Sequence, residues 1–236
     1  MSSDALAELV EKYDHLFASE KYEEAAKLGG TILWELYVDG QVAKVSEILG
    51  NTINTTSNPV TMSSAWLNLG DVLYDKNLFD KARASYLQGL EVAGSKDSIL
   101  KARFLYGIAN TYFMQGDYTE AKIYYENSLT LSKESGMKSA IADNLLQLSE
   151  IARTIGEYDD AEKFGRMSLE INSREKRRHA SLRSAQSLSN LAIQFEATGH
   201  RDRAKELLLF CLSALQLSEN ESALDMVRSV LAGFPE

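Results

Sequence analysis

The side chains that could do chemistry in this sequence are few and widely separated. Three histidines, His15, His179 and His200, lie in different segments, and none has a cysteine or acidic residue at the spacing of metal ligands. Cys211, the only cysteine, lies within the apolar run 207–212, which indicates a small buried residue rather than a nucleophile. We therefore expect no catalytic residue, no metal and no cofactor, and we predict that the protein is not an enzyme.

Two further motifs could bind an anion, and each also has a structural interpretation. Gly29-Gly30 falls inside a helical run with no strand before it, so we interpret it as a close helix crossing rather than a phosphate loop. The run Arg174–Arg178, followed by His179, is the one basic cluster. We interpret it as a solvated joint between helices. A docking patch for an acidic partner, nuclear targeting and RNA contact are the alternatives that stay open.

The overall charge and the apolar runs exclude several classes of partner. The 236 residues carry a formal charge of −9, which argues against nucleic acid and against anionic membranes as partners. No apolar run reaches the roughly 20 residues of a membrane helix, and the acidic, amphipathic start does not resemble a signal peptide. We expect a cytoplasmic protein.

The elements that would position any site are helices in pairs. The segment from Leu100 to Leu131 contains two apolar-periodic runs separated only by Gly116-Asp117. Two helices joined by so short a break must fold back as an antiparallel hairpin. The same pattern recurs on both sides of this segment, which predicts a stack of such hairpins.

The hairpins repeat around small residues. An alanine recurs early in each second helix, at Ala25, Ala82, Ala121, Ala161 and Ala204. From Ala82 onward the intervals are 39, 40 and 43 residues. First helices share a large-large-small-large pattern, seen in Trp66-x-x-Leu69-Gly70-x-x-Leu73. Glycines at 116, 156 and 199 are expected to end first helices with a positive φ.

These motifs resemble the tetratricopeptide repeat. The second hairpin fits that signature through Trp66, Leu69, Gly70, Phe79 and Ala82. The period of about 40 residues is longer than the usual 34 and is similar to that of kinesin light chain, of polarity adaptors that bind Gα regulatory segments, and of bacterial peptide-sensing regulators. The sequence does not choose among these three.

The resemblance implies an all-α, right-handed superhelical solenoid of antiparallel helix pairs, with about twelve helices. We predict a single solenoid over residues 1–236, made of a first hairpin (1–40), a short helix and loop (41–58, with the helix over 41–49), four hairpins (59–218) and a C-terminal capping helix (219–236). Trp34 is expected in the core of the first hairpin.

The resemblance also implies that first helices line a concave groove. We predict that the positions between the packing residues of these helices bind a partner. These positions are Leu67, Asp71, Tyr74, Asp75, Arg103, Tyr106, Asn110, Phe113, Met114, Asp143, Leu146, Glu150, Arg153, Gln186, Ser189, Ile193 and Glu196. The set includes three aromatic residues, and its acids outnumber its bases by five to two. It lacks the cations with which chaperone-tail clamps of the family hold a terminal carboxylate, so we expect no binding of such tails.

The function we predict is a non-enzymatic scaffold or adaptor that binds a peptide segment of another protein in this groove. The segment would be apolar with some basic character. The alternative is a structural subunit that self-associates, as a homo-oligomer, or sits in a larger complex through its convex face or terminal helices.

Overall fold

The computed structural model describes residues 2–94 and 97–233. These residues form twelve α-helices, and no strand is found among them. The helices are α1 (Ser3–Ala18), α2 (Tyr22–Val38), α3 (Val42–Thr55), α4 (Pro59–Asp75), α5 (Phe79–Val92), α6 (Ser98–Met114), α7 (Tyr118–Glu134), α8 (Lys138–Ile155), α9 (Tyr158–Arg174), α10 (Arg178–Ala197), α11 (Arg201–Gln216) and α12 (Glu221–Ala232). The predicted all-α fold class is confirmed.

Most joints between consecutive helices close in the same way. Ten of them contain a residue with positive φ, including the predicted Gly116, Gly156 and Gly199. In eight of these joints the N–H of the following residue donates to the carbonyl five positions back, as from Glu157 to Ala152 O at 2.8 Å. This bond satisfies a carbonyl that the helix end leaves open, so each break is short and the next helix turns back at once.

The helices divide into two compact units, and each is described by itself. Unit 1 is Met1–Asp117 and unit 2 is Tyr118–Glu236. In unit 1 each helix packs on the next one, and α4 also packs on α6. In unit 2 consecutive helices pack likewise, α8 packs on α10, and α12 covers both α10 and α11. The single solenoid over residues 1–236 stays a prediction.

The repeated alanines are interior residues, as expected for close helix crossings. Ala25, Ala82, Ala121, Ala161 and Ala204 are at most 1% exposed. A larger side chain at any of these positions would have to displace a neighbouring helix.

Tyr86 shows why the first helices need small residues. Its ring, from α5, lies between Gly70 of α4 and Gly107 of α6 and is 2% exposed. A Cβ on Gly70 would lie 2.3 Å from Tyr86 Cε1, and one on Gly107 would lie 2.7 Å from Cζ. Both glycines therefore create the space that a buried aromatic ring fills.

The predicted loop over residues 50–58 is shorter in the structure, because α3 continues to Thr55. The buried residues of α3 are Val45, Ile48, Leu49 and Thr52, which lie on one helical face and extend the apolar period beyond residue 49. Thr52 Oγ1 donates to Ile48 O at 2.9 Å, so this polar residue is accommodated inside the helix. Only the short link to α4 remains outside both helices.

The prediction that Trp34 packs in the core is wrong. Its side chain is 70% exposed on α2, whereas Ile32 and Leu36 of the same helix are fully buried. The side of α2 that carries Trp34 therefore faces away from the core of unit 1.

Candidate functional site

α2 carries the pattern of a first helix. Its Leu28-Gly29-x-x-Ile32 matches Leu69-Gly70-x-x-Leu73 of α4. A Cβ on Gly29 would lie 2.6 Å from Ile48 Cγ2 of α3 and 3.2 Å from Tyr13 Cε2 of α1, so Gly29 is a close crossing point. Because α2 packs on both α1 and α3, the first hairpin over residues 1–40 stays a prediction.

A groove of about 320 Å³ lies between α2 and α4, with α3 behind it. We call it the α2–α4 groove. Its lining residues are Gly30, Leu33, Trp34, Tyr37, Val45, Leu49, Asn68, Asp71, Val72 and Asp75. Apolar and aromatic side chains with a few polar groups are the usual lining of a binding site.

Two aromatic side chains form one wall of the α2–α4 groove. The rings of Trp34 and Tyr37 are stacked, with centroids 6.2 Å apart and an interplanar angle of 25°. Val38, next to Tyr37 in the chain, is 66% exposed. An exposed apolar patch of this kind is typical of an interaction surface.

Two carboxylates form the opposite wall. Asp71 and Asp75 lie one turn apart on α4, and each accepts a hydrogen bond from a tyrosine. Tyr86 Oη donates to Asp71 Oδ1 at 2.7 Å, and Tyr37 Oη donates to Asp75 Oδ2. The bond to Asp75 is the main reason that the pKa of Tyr37 is raised. The tyrosines therefore fix both carboxylates in place.

Asp71 is in a mixed electrostatic environment. Desolvation raises the pKa of its carboxyl group, and the neighbouring Asp75 adds to this effect. The hydrogen bond from Tyr86 and the charge of Arg103 on α6 act in the opposite direction. Arg103 is thus the basic group of unit 1 that already acts on this acidic wall.

Gly30 forms an open part of the groove. It is exposed, and a Cβ built on it would have nothing within 4 Å. The neighbouring Gly29 is buried, as described above. The predicted close crossing at Gly29-Gly30 therefore holds for the first glycine only.

The predicted partner-binding residues of unit 1 fall into two groups. Asp71 and Asp75 line the α2–α4 groove, whereas Leu67 is 3% exposed and cannot contact a partner. Half-buried Tyr74 packs edge-on against Phe79 with a centroid distance of 5.6 Å and covers the bend between α4 and α5. On α6, Arg103 and Met114 are exposed, while the partly buried residues are Tyr106, Asn110 and Phe113.

The predicted residues of unit 2 are mostly paired or buried. Leu146 and Ser189 are 4% and 2% exposed, so both are excluded from a binding surface. Each, like Leu67, lies three residues before the small residue of its first helix, and that position turns inward. Gln186 and Ile193 are exposed.

The acidic residues of the unit 2 set are neutralised within the unit. Glu150 pairs with Arg153 at 2.8 Å, Glu196 with Arg201 at 3.0 Å, and Asp143 with Arg177 at 3.2 Å. The predicted acidic character of the groove is therefore concentrated on Asp71 and Asp75 in unit 1.

The basic cluster 174–178 is also largely paired inside unit 2. Arg174 contacts Glu170 at 3.3 Å, and Lys176 contacts Glu219 at 3.1 Å. Arg177 is tied to Asp143 and to the buried Asn172. These contacts favour the interpretation of the cluster as a joint between helices.

Sequence reasoning missed Gly30, Leu33 and Trp34. Counted from Gly29, they occupy the positions that Asp71, Tyr74 and Asp75 occupy relative to Gly70. The signal that could have found them is the Leu28-Gly29-x-x-Ile32 pattern. Tyr37 lies one turn further along the same face and was not singled out either.

Among residues 2–94 and 97–233, histidine, cysteine and acidic side chains form no group of three or more that could hold a metal ion. Within the same ranges, every helix is too short or too polar to traverse a lipid bilayer.

Comparison with known proteins agrees with the repeat pattern. Residues 61–134 and 100–174 match the model of the tetratricopeptide repeat. No curated protein matches the chain significantly in sequence.

Solved structures share the fold at low sequence identity. The apo form of RapI superposes with a TM-score of 0.65 and 14% identity, covering 98% of this chain and 100% of that one. A Rap protein complexed with Competence and Sporulation Factor gives 0.60 and 15%, covering 97% and 70%. YrrB, a tetratricopeptide repeat protein with an unusual peptide-binding site, gives 0.58 and 13%, covering 93% and 99%. At these identities the likeness establishes the fold alone. Residues 61–174 therefore consist of tetratricopeptide repeats, and the chain has the fold of solved tetratricopeptide repeat proteins.

Proposed function

We propose that this protein is a non-enzymatic interaction scaffold that captures a peptide segment of a partner protein in the α2–α4 groove. The observation that carries the proposal is the exposed Trp34 on stacked Tyr37, facing two fixed carboxylates across an open groove. Such a groove favours a segment that presents apolar side chains next to positive charge, since aromatic anchors supply affinity and charge complementarity supplies specificity.

Two solved structures with this fold support a binding role, and one of them supports a peptide as the ligand. YrrB is described as having an unusual peptide-binding site, and a Rap protein is complexed with Competence and Sporulation Factor. In our proposal the same fold binds a peptide segment in this protein, at a site formed by the residues of the α2–α4 groove.

Cys211, the only cysteine, does not have the properties of a catalytic nucleophile. Burial raises the pKa of the Cys211 thiol to about 12, so the thiol stays protonated near neutral pH. A protonated, fully buried thiol is a poor nucleophile. His15, His179 and His200 are exposed and belong to separate helices or joints.

A displayed library of random peptides of about nine residues, selected on the native chain, tests the proposal. Binding of the selected peptides would be titrated against the native protein, Trp34→Ala and Gly30→Phe, which fills the groove from an open position. Val60→Ala is the matched control, because Val60 is 65% exposed on α4 but does not line the groove.

We expect both groove variants to weaken binding by about ten-fold or more, and Val60→Ala to leave binding unchanged. Affinity should also fall between about 50 mM and 300 mM salt, because part of the attraction is between exposed charges. Selected peptides that bind all four proteins equally would contradict the proposal. Light scattering that shows a tight oligomer with the groove covered would favour the structural-subunit alternative instead.

A further inference from the structure

In the described part of the chain, three arginines share one arrangement of side chains. An arginine lies over an aromatic ring of another helix while carboxylates hold its guanidinium. In unit 1, Arg83 of α5 lies 4.2 Å from the ring centroid of Tyr112 on α6 and 2.5 Å from Asp80 Oδ1.

Unit 2 contains the other two examples. Arg166 lies 4.3 Å from the ring centroid of Phe210 and 2.7 Å from Glu162. Arg203 lies 4.2 Å from the ring centroid of Phe195, and it pairs with Asp159 at 2.6 Å and with Glu162 at 2.8 Å. The arrangement therefore recurs as a stable way to join neighbouring helices in this chain.

Lysines approach rings differently in the same structure. Lys44 and Lys163 lie 5.6 Å from the ring centroids of Tyr13 and Phe164. The shorter distance of the arginines reflects stacking of a planar guanidinium, which keeps its N–H groups directed outward at carboxylates. Lys44 also pairs with two carboxylates, Asp14 at 2.6 Å and Glu47 at 2.9 Å, so the arginines differ from it in their closer, stacked approach to the ring.

The α2–α4 groove contains the aromatic and acidic parts of this arrangement. Trp34 stacks on Tyr37, and Tyr37 is hydrogen-bonded to Asp75, so direct contacts link the rings of α2 to the carboxylate of α4. Asp71 lies one turn away on α4. Among the described residues that line the groove, none is lysine or arginine.

We propose that an arginine side chain of the partner peptide completes this arrangement, with its guanidinium stacked on Trp34 and directed at Asp71 and Asp75. This inference rests on the proposed function and specifies the residue that the groove selects. Each carboxylate has one oxygen engaged by a tyrosine, which leaves the second oxygen to accept from the ligand. Arg103, which acts on Asp71 from α6, would be a competitor for the same charge.

The test uses four mixtures of acetylated, amidated peptides of about nine residues, randomised except for a fixed central residue. The central residue is arginine, lysine, citrulline or norleucine. Citrulline retains the planar shape without charge, and norleucine retains only the apolar stem. Binding of each mixture would be measured by the shift of the Trp34 indole N–H signal, assigned with Trp34→Phe.

We expect the arginine mixture to bind about five-fold or more tighter than the lysine mixture, and citrulline and norleucine to bind more weakly still. The preference for arginine over lysine should disappear in Asp71→Asn plus Asp75→Asn. It should increase in Arg103→Gln, because a competing cation is removed.

Two results would overturn the inference. The first is equal binding of the arginine and lysine mixtures in the native chain, and the second is an arginine preference that survives in the double variant. Either could occur while Trp34→Ala still abolishes binding, in which case the groove binds peptides but does not select arginine. Failure of every mixture to shift Trp34 would instead reject the proposed function together with the inference.

Discussion

Tyr86 Oη donates a hydrogen bond of 2.7 Å to Asp71 Oδ1 from the interior of unit 1. The ring that carries this hydroxyl is held between Gly70 and Gly107, so the donor has little freedom to move. A buried residue of a second helix thereby fixes a carboxylate that lines the groove between two first helices. The hydrogen bond from Tyr86 to Asp71 therefore links the packing of the core to the position of a groove residue.

Replacing Tyr86 by phenylalanine should destabilise the protein in a pH-dependent way. The pKa of Asp71 is raised in the folded state, so its ionised form opposes folding above that pKa, and this penalty is lost as the pH falls through it. The hydrogen bond from Tyr86 lowers the pKa of Asp71, so losing this bond should enlarge the penalty. We expect a cost of about 1–2 kcal/mol near pH 7 and a smaller cost near pH 4, measured by urea unfolding.

Asp71→Asn is the companion variant for this measurement. It keeps an oxygen that can accept from Tyr86 but removes the ionisable group. Its stability relative to the native chain should therefore be more favourable at neutral pH than at acid pH. A loss in Tyr86→Phe that is the same at both pH values would show that the bond does not affect the ionisation of Asp71.

The adjacent glycines of α2 should respond to alanine with opposite signs. At Gly29 the new methyl group would meet Ile48 and Tyr13, both fully buried, and we expect a loss of about 1–3 kcal/mol from overpacking. At Gly30 there is open space, and alanine should stabilise the helix by about 0.5–1 kcal/mol. Denaturant unfolding of the two variants side by side measures both effects. Equal changes in the free energy of unfolding would contradict the difference in packing between Gly29 and Gly30.

Features that depend on neighbouring residues in the chain could be predicted from the sequence. Helix ends at Gly116, Gly156 and Gly199 follow from local breaks in periodicity and from the ease with which glycine adopts positive φ. The buried alanines follow from the repeat itself. Both signals are present in the order of residues along the chain, so they do not need knowledge of the packing.

The phase of α2 could not be decided in this way. Tyr22-x-x-Ala25 fits the start of a second helix, whereas Leu28-Gly29-x-x-Ile32 fits the middle of a first helix. Both patterns lie on the same helix, and α2 packs on α1 as well as on α3. The exposure of Trp34, and with it the groove, depends on this packing and cannot be seen in the local pattern.

One of the ion pairs that neutralise the predicted groove residues of unit 2 joins positions far apart in the sequence. Asp143 meets Arg177, which lies 34 residues later, and this pairing requires the helices to be stacked first. Formal charge along a helix face therefore overestimated the acidic surface of unit 2.

Replacing a non-glycine residue in the left-handed region with glycine should stabilise the protein. Glu20 has a φ of 58° at the joint between α1 and α2. Glu20→Gly removes the steric cost of the Cβ in this conformation, and we expect a gain of up to about 1 kcal/mol. In thermal unfolding this corresponds to an increase in Tm of about 2–4 °C for a chain of this size.

The converse substitution provides the control. Gly156 has a φ of 85°, and a Cβ there would meet nothing within 4 Å, so Gly156→Ala should lose about 1 kcal/mol through backbone strain alone. A stabilised Gly156→Ala would mean that the joint relaxes out of the left-handed conformation.

The cations of the basic cluster should differ sharply in their contribution to stability. Arg177 Nη1 donates to Asn172 Oδ1 at 2.7 Å and to Ser139 O at 3.2 Å, and Asn172 is fully buried. Arg177→Ala would leave the Asn172 oxygen buried without this donor, and we expect a loss of about 1–3 kcal/mol in urea unfolding. Lys176 and Glu219 are both about two-thirds exposed, so Lys176→Ala should lose less than about 0.5 kcal/mol.

Arg177→Lys separates charge from geometry at this joint. A lysine keeps the positive charge near Asp143 but lacks the planar fork that reaches Asn172 and Ser139 together, so most of the loss should remain. Full recovery by lysine would indicate that the net charge of the cluster matters more than its hydrogen bonds. In that case the cluster would again be a candidate docking patch for an acidic partner, because its charge would not be needed for specific hydrogen bonds within the fold.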